Sequence, residues 1–332
     1  MSHTLIIAEA GVNHNGRLDL ALKLCDVAKE AGADVVKFQT WKTEKIITRS
    51  VAQAKYQAEN IRKTESQYDM LKRLELLYED FTKIKKHCDK IGIQFASTAD
   101  EEDSLDFLIS LGIPFIKIGS GEITNIPYIR IIGSKKLPVI ISSGMSTLAE
   151  VDTALAELRN SGAADITLLH CTTNYPCPME DVNLNAMLTM REAFKIPVGY
   201  SDHTKGIEVP IAAVAMGAAV IEKHFTLDRN MEGPDHLASI EPDEFKNMVD
   251  SIRNIEIALG TGEKTPVKSE VDISKVVLKR CVASQNIRSG ELFTNENVTV
   301  KRNDKGLPSK YWDLLIGKQA TRDYKIDEAV EL

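Results

Sequence analysis

Several things are scarce in this 332-residue chain. Cysteine is one: Cys25, Cys88, Cys171, Cys177 and Cys281 are odd in number, scattered, and include no C-x-x-C pair. That pattern excludes a disulfide scaffold and fits the reduced thiols of a cytoplasmic protein. No apolar run approaches the ~20 residues of a membrane span. The opening stretch MSHTLIIAEA lacks the basic leader and extended apolar core of a signal peptide. Positive charge is in deficit, with 41 Lys+Arg against 48 Asp+Glu, a net charge of −7, and no dense basic block. Nucleic acid and anionic membrane surfaces therefore find no electrostatic footprint. What remains, 43% apolar and 27% charged, is globular rather than disordered composition. The length suits one large domain followed by a small one.

What is present is a repeat. Short runs rich in Val and Ile recur, each followed by a segment with helical spacing: LIIAEA (Leu5 to Ala10), DVVKFQT (Asp34 to Thr40), IQFAST (Ile93 to Thr98) and FIKIGS (Phe115 to Ser120). PVIISSG (Pro138 to Gly144), DITLLHCT (Asp165 to Thr172), PVGYSD (Pro197 to Asp202) and AVIEKHFT (Ala219 to Thr226) complete the set. Near-continuous hydrophobicity is the signature of parallel strands buried on both faces. Between them, Leu18, Leu22, Cys25 and Ala28 mark one apolar helix face. Gly32, Gly92, Gly112, Gly162 and Gly217 stand where helices end before strands. Eight strand-helix units over about 260 residues predict a (β/α)8 TIM barrel, with an open doubly wound sheet as the competing architecture.

Two segments break the repeat. A polar stretch between Trp41 and Gln67 has the length of an active-site loop or lid. Residues 261–274 carry Gly and Pro in a polar context and read as a linker, closing a barrel domain over 1–260. Residues 275–332 alternate short strand-like runs with turns and predict a small β-rich domain, of a size that buries only a modest core.

In a barrel, reactive groups sit at the C-terminal ends of strands. Seven of the eight strands carry polar groups there. They are Glu9; Lys37 and Gln39; Lys117, followed by Ser120 and Glu122; Ser142; His170, with Asn174 and Tyr175 in its loop; Ser201 and His203; Glu222 and His224. Singly, a strand lysine or histidine reads as ion-paired or structural; together they outline a site. Two lysines with hydroxyls make a cradle for phosphate and carboxylate oxygens. Histidines on adjacent strands can hold a divalent metal and leave positions open. Lys223 points by alternation toward the helices and reads as a snorkelling side chain. His14 fits a turn and a substrate-facing loop equally, and His236 follows a turn at the barrel mouth. Cys171 and Cys177 read as small packed hydrophobes.

The strings EAGVNHNG, VKFQT, KIGSGE, SSGMSTLAE, HCTTNYP, GYSDHT, EKHFTLD and GPDHLASIEP run in order from Glu9 to Pro242. Together they resemble the sialic acid synthase family. The tail, with ENVTVKR and LIGK, resembles its antifreeze-like (SAF) domain. The resemblance implies condensation of phosphoenolpyruvate with the open-chain aldehyde of an N-acetylated mannosamine-type sugar, giving a nonulosonic acid and phosphate, with Mn²⁺ or Mg²⁺ required. It implies that His203 and His224 bind the metal. Lys37, Thr98, Lys117, Ser120, Ser142 and Ser201 would hold phosphoenolpyruvate. Glu9, Gln39, Asn174, Tyr175 and Asp235 would meet the sugar, and Glu9 or Glu122 would manage protons or water. It further implies a domain-swapped homodimer in which Arg302 reaches the sugar bound by the partner. Departures from the usual family pattern are Ala99-Asp100 after Thr98, Ser143, and Asn303 after Arg302.

On the motifs, N-acetylmannosamine, giving N-acetylneuraminate, is the expected sugar. A 2,4-diacetamido-2,4,6-trideoxymannose, giving N,N'-diacetyllegionaminate, is the alternative. A Schiff-base aldolase using Lys37 or Lys117 and a non-catalytic carbohydrate- or ice-binding protein are the remaining readings.

Overall fold

Every one of the eight apolar runs is a strand. β1 (Leu5–Gly11), β2 (Val35–Thr40), β3 (Gln94–Ala99), β4 (Ile116–Ile118), β5 (Val139–Ser142), β6 (Ile166–Cys171), β7 (Val198–Asp202) and β8 (Val220–His224) pair in parallel, in chain order. The sheet closes where β8 pairs with β1. Closure removes the open-sheet alternative. The computed structural model describes residues 3–52 and 65–332. Helices α1 (Leu18–Glu30), α2 (Thr43–Ile46), α3 (Gln67–Leu74), α4 (Tyr78–Ile91), α5 (Glu102–Ser110), α6 (Ile126–Ser134), α7 (Leu148–Ser161), α8 (Asn185–Phe194), α9 (Glu208–Ala215) and α10 (Pro242–Ala258) return the chain between strands and after β8. The five helix-ending glycines take φ between 75° and 116°, a left-handed conformation that costs glycine nothing.

Helix α1 buries Ala21, Leu24, Cys25 and Ala28. Leu18 and Leu22, expected on that face, sit half-buried. The buried face centres on Ala21 and Ala28, which puts Leu22 past its edge and leaves Leu18 in the exposed first turn. Among the described residues all five cysteines are free and buried.

Strand alternation decides what fills the barrel. Ile7, Val35, Ala96, Phe115, Ile140, Leu169 and Val220 form an apolar plug inside the sheet. Two residues further along each strand, on the same inward face, stand Glu9, Lys37, Thr98, Lys117, Ser142, Cys171 and Glu222. The polar layer is thus stacked directly on the plug. On β7 the plug position is Gly199, where a Cβ would lie 2.3 Å from the Val220 carbonyl oxygen and 2.6 Å from the Leu169 side chain.

The 41–67 stretch expected as an active-site loop or lid contains α2 and a bridge between Ala52 and Ser66; its residues 53–64 lie outside the described residues. The chain divides into two compact units, Met1–Thr261 and Gly262–Leu332. In the second, α11 (Lys268–Val277) precedes an antiparallel pair, β9 (Lys279–Ala283) and β10 (Val298–Arg302), and α12 (Trp312–Leu315). Its own core is built on Cys281, Ile287, Phe293, Val298, Leu315 and Tyr324. The segment expected as a linker is helical from Lys268, opened by a Glu270 carboxylate that accepts the Val267 N–H at 3.0 Å. No helix among the described residues is long and apolar enough to cross a membrane.

Candidate active site

Above the plug lies a cavity of about 150 Å³ whose floor is a chain of buried charges. Lys37 Nζ lies 2.7 Å from Glu9 Oε2 and 3.6 Å from Glu222 Oε2, and donates to Thr98 Oγ1 at 3.0 Å. Lys117 Nζ donates to Ser142 Oγ at 2.9 Å and lies 3.5 Å from Glu222 Oε1. Ser201 Oγ donates to that same Oε1 at 3.1 Å, and Gln39 Nε2 to Glu9 Oε1 at 3.2 Å. β2 and β4 therefore each bring one ammonium, and β1 and β8 each bring one carboxylate.

Burial and charge pull these groups in opposite directions. Burial disfavours charge on Lys37, but Glu222 and Glu9 outweigh it and hold the ammonium above the ordinary lysine value. Lys117 moves the other way, lowered by burial and by Lys37, with Glu222 opposing. Glu222 resists its burial because both lysines attract its charge, and its carboxyl falls to about 2. Burial wins at Glu9, raised to about 7 although Lys37 opposes the shift. Glu222 is thus the firm anion that holds both lysines in place.

One wall carries the histidines. The His203 and His224 rings stand 5.4 Å apart between centroids, and the Tyr175 ring lies 4.1 Å from the first and 5.5 Å from the second. His203 Nδ1 lies 2.7 Å from the Thr172 carbonyl oxygen. A carbonyl only accepts, so Nδ1 carries the proton and the ring, when neutral, keeps its Nε2 lone pair; burial disfavours its charge, but Cys171 and the Thr172 carbonyl hold it above the ordinary histidine value. Burial and the neighbouring His203 drive His224 well below the ordinary histidine value, and its Nδ1 is buried without a hydrogen-bond partner. Two neutral-capable imidazoles with an orphaned nitrogen fit a divalent cation. Among the described residues no group of three or more His, Cys, Asp or Glu side chains encloses a metal. A cation on this pair would complete its shell from substrate and water.

Glu9, Lys37, Gln39, Thr98, Lys117 and Ser120 line the cavity, as do Ser142, Tyr175, Ser201, His203 and His224. Four expected residues do not. Glu122 is half-buried and accepts a hydrogen bond from Asn125 Nδ2 at 2.6 Å. Asn174 is exposed. Asp235 is buried behind the histidines, its carboxyl pushed up by burial to about 6 against the pull of His203. Arg302 ends β10, exposed, in the second unit. Glu222 and Thr173 line the cavity without having been assigned roles, and Cys171, expected as a small packed hydrophobe, lines it too. Alternation placed Glu222 on the face of His224, which was the signal for it. His14 sits in a buried turn with Nδ1 accepting the Gly16 N–H, and His236 bonds Thr226 and Asn15. Lys223 does not snorkel; it is fully buried and paired with Asp202. Alternation gave its direction correctly, but the acid that receives it belongs to another strand. A larger cavity of about 570 Å³, lined by Ser146, Leu148, Asn183 and Met190, shares Cys171 with the first. It contains neither lysine nor carboxylate, so the charged cavity is the one equipped for chemistry.

The profile described as the NeuB family matches residues 24–264, and that of the SAF domain matches 281–331. The chain is 48% identical to an N,N'-diacetyllegionaminic acid synthase of Campylobacter jejuni, covering 99% of each protein. It is also 48% identical to the N,N'-diacetyllegionaminic acid synthase of Legionella pneumophila, over 95% of this chain and 89% of that protein. Among solved structures, the N-acetylneuraminic acid synthetase of Leptospira borgpetersenii, in complex with citrate, superposes with a TM-score of 0.73 at 34% identity. That match covers 82% of this chain and 92% of the other.

Proposed function

The chain belongs to the NeuB family, and from that premise we propose that it condenses phosphoenolpyruvate with the open-chain aldehyde of 2,4-diacetamido-2,4,6-trideoxymannose, giving N,N'-diacetyllegionaminate and phosphate. This replaces the N-acetylmannosamine expected from the motifs. Identity to two legionaminic acid synthases is well above that to the N-acetylneuraminic acid synthetase. The observation that carries the reaction class is the cavity floor, where two buried ammonium groups and three strand hydroxyls converge beside two histidines.

In this reading Lys37, Lys117, Thr98, Ser120, Ser142 and Ser201 bind the phosphate and carboxylate of phosphoenolpyruvate and expose carbon 3 to the aldehyde. Tyr175 and Gln39 orient the sugar from the wall and rim. His203 and His224 would hold Mn²⁺ or Mg²⁺, which when bound would supply Lewis-acid polarisation of the aldehyde oxygen. Carbon 3 forms the new bond to the aldehyde carbon, whose oxygen gains a proton. Water then adds at carbon 2, and the carbon 2–phosphate bond breaks to leave the ketone. Glu9, buried beside Lys37, is placed to take the water's proton, whereas Glu122 lies outside the cavity. The second unit supports a homodimer: α11 buries no side chain and leaves Val271, Ile273, Val276 and Val277 exposed along it, with Val267 and Leu278 exposed beside its ends.

Side-by-side turnover tests this, with phosphate release followed for both sugars. The diacetamido sugar is expected to show the higher kcat/KM, with release dependent on phosphoenolpyruvate, sugar and metal together. Preference for N-acetylmannosamine would restore the neuraminate reading, and failure with both sugars would sink the assignment.

A further inference from the structure

The last paired residues of β7 and β8 are Asp202 and Lys223, in register with each other. His203 and His224 follow immediately, one step beyond the β7–β8 ladder; His224 still pairs with Glu9 of β1, but no pairing between β7 and β8 sets the separation of the two histidines. There the two backbones part. The His203 carbonyl accepts from Cys177 N–H at 2.8 Å, and the His224 carbonyl from Ile240 N–H at 3.1 Å, so each is tied to a different loop.

Behind them, on the helix side of the sheet, Lys223 spans the gap. Its Nζ donates to Asp202 Oδ2 at 2.5 Å and to the Thr204 carbonyl at 2.6 Å. Asp202 Oδ1 accepts from Thr204 N at 3.0 Å and Thr204 Oγ1 at 2.8 Å. One ammonium on β8 therefore grips the residues on both sides of His203. Lys223 is 0% and Asp202 1% exposed. A buried ion pair adds little net stability, because desolvation offsets the attraction; its contribution is directional. Hydrogen bonds outside the ligand set commonly govern how ligands are aimed.

We propose that Lys223 and Asp202 are positioning residues that set the distance and angle between His203 and His224 and thereby tune this wall for a divalent cation. The inference rests on the reading of those histidines as a metal pair. It assigns Lys223 no contact with substrate.

The test is Mn²⁺ affinity of the full chain without substrates, by electron paramagnetic resonance. Calorimetric binding of phosphoenolpyruvate to the metal-free protein and the thermal midpoint serve as companions. Lys223→Met removes the grip. Asp202→Asn with Lys223→Gln fills the same space with a neutral polar pair, one atom too short to bridge to the Thr204 carbonyl, in case the first variant fails to fold. Both are expected to bind Mn²⁺ about 10–100-fold more weakly, with metal-free phosphoenolpyruvate affinity within about twofold of wild type. Lys223→Arg, which restores a cation, is expected to bind Mn²⁺ more tightly than Lys223→Met. Unchanged Mn²⁺ affinity in a folded variant would overturn the proposal. Equal loss of both ligands, or failure of both variants to fold, would make the pair a general support of the barrel and overturn it too. Absence of Mn²⁺ binding by the wild type would instead remove the metal reading itself.

Discussion

Lys37 and Lys117 are held between two carboxylates at the floor of a cavity proposed to receive a trianionic substrate. The arrangement costs affinity, since phosphoenolpyruvate must share ammonium groups already paired with Glu9 and Glu222. It also stabilises the protonated state of Lys37 against its burial, so the cradle stays positive before substrate arrives. A charge-assisted hydrogen bond is worth about 1.5–3 kcal/mol. Lys117→Met should therefore weaken phosphoenolpyruvate binding roughly 10–100-fold by calorimetry, and an unchanged affinity would show that Lys117 does not touch it. Asp100, where this chain departs from the usual family pattern, gives a pH prediction. Burial and Glu122 push its carboxyl up from 3.8 to about 7, with Lys37 opposing. A raised carboxyl favours the folded state while protonated, so that contribution is full below about pH 4 and lost as pH rises through about 7. Asp100→Asn should flatten the decline of the thermal midpoint across that window and raise it by about 2–4 °C on the alkaline side. Parallel melting profiles for the two proteins would count against it.

Strand alternation is the device that makes the site, and it acts at the scale of the element. Because the apolar plug and the polar layer occupy successive inward positions, any displacement of a strand moves both. Gly199→Ala should force β7 away from the Val220 carbonyl, which cannot yield without breaking the ladder. Overpacking of this kind costs about 1–3 kcal/mol; urea unfolding should show it, with phosphoenolpyruvate affinity falling as Ser201 moves. Wild-type stability in that variant would mean the plug has slack. The same alternation explains what could be read in advance. Near-continuous apolar runs and glycine-ended helices sufficed for eight strands, and alternation within them for the inward set from Glu9 to His224. Cross-strand partners were not legible, since Asp202 and Lys223 are 21 residues apart and meet only through β7–β8 register. Loop residues such as Glu122 and Asn174 were placed by proximity to a strand end, which does not fix where a side chain points. The helix starting at Lys268 was hidden in a segment whose Gly and Pro residues lie before it. The sugar expected from the motifs differs from the one the relatives favour, because EAGVNHNG and CTTNYP accompany both kinds of relative.

Net charge and division into two units bear on the molecule as a whole. A total of −7 is no obstacle to an anionic substrate, because the positive charge that matters is local and buried. The second unit, 71 residues with a small core of its own, carries Arg302 exposed at the end of β10 and an α11 with no buried side chain. A helix presenting Val271, Ile273, Val276 and Val277 to water, flanked by exposed Val267 and Leu278, is an unfavourable surface for an isolated chain, which a homodimer would cover. Exchange of the tails between subunits has a consequence that simple dimerisation lacks. Under the proposed roles, His203→Ala would disable a barrel and leave its tail intact, while Arg302→Ala would disable a tail and leave its barrel intact. Co-expressed under exchange, the mixed dimer pairs one intact barrel with the other subunit's intact tail. Two nearly inactive variants should then recover roughly a quarter of wild-type turnover, since about half the dimers are mixed and one site in each is complete. Light scattering should report a dimer for both variants and for the mixture. If each tail serves its own barrel, the mixed dimer contains no complete site and turnover stays at the level of the separate variants, which would rule out exchange while leaving the dimer and the barrel chemistry in place.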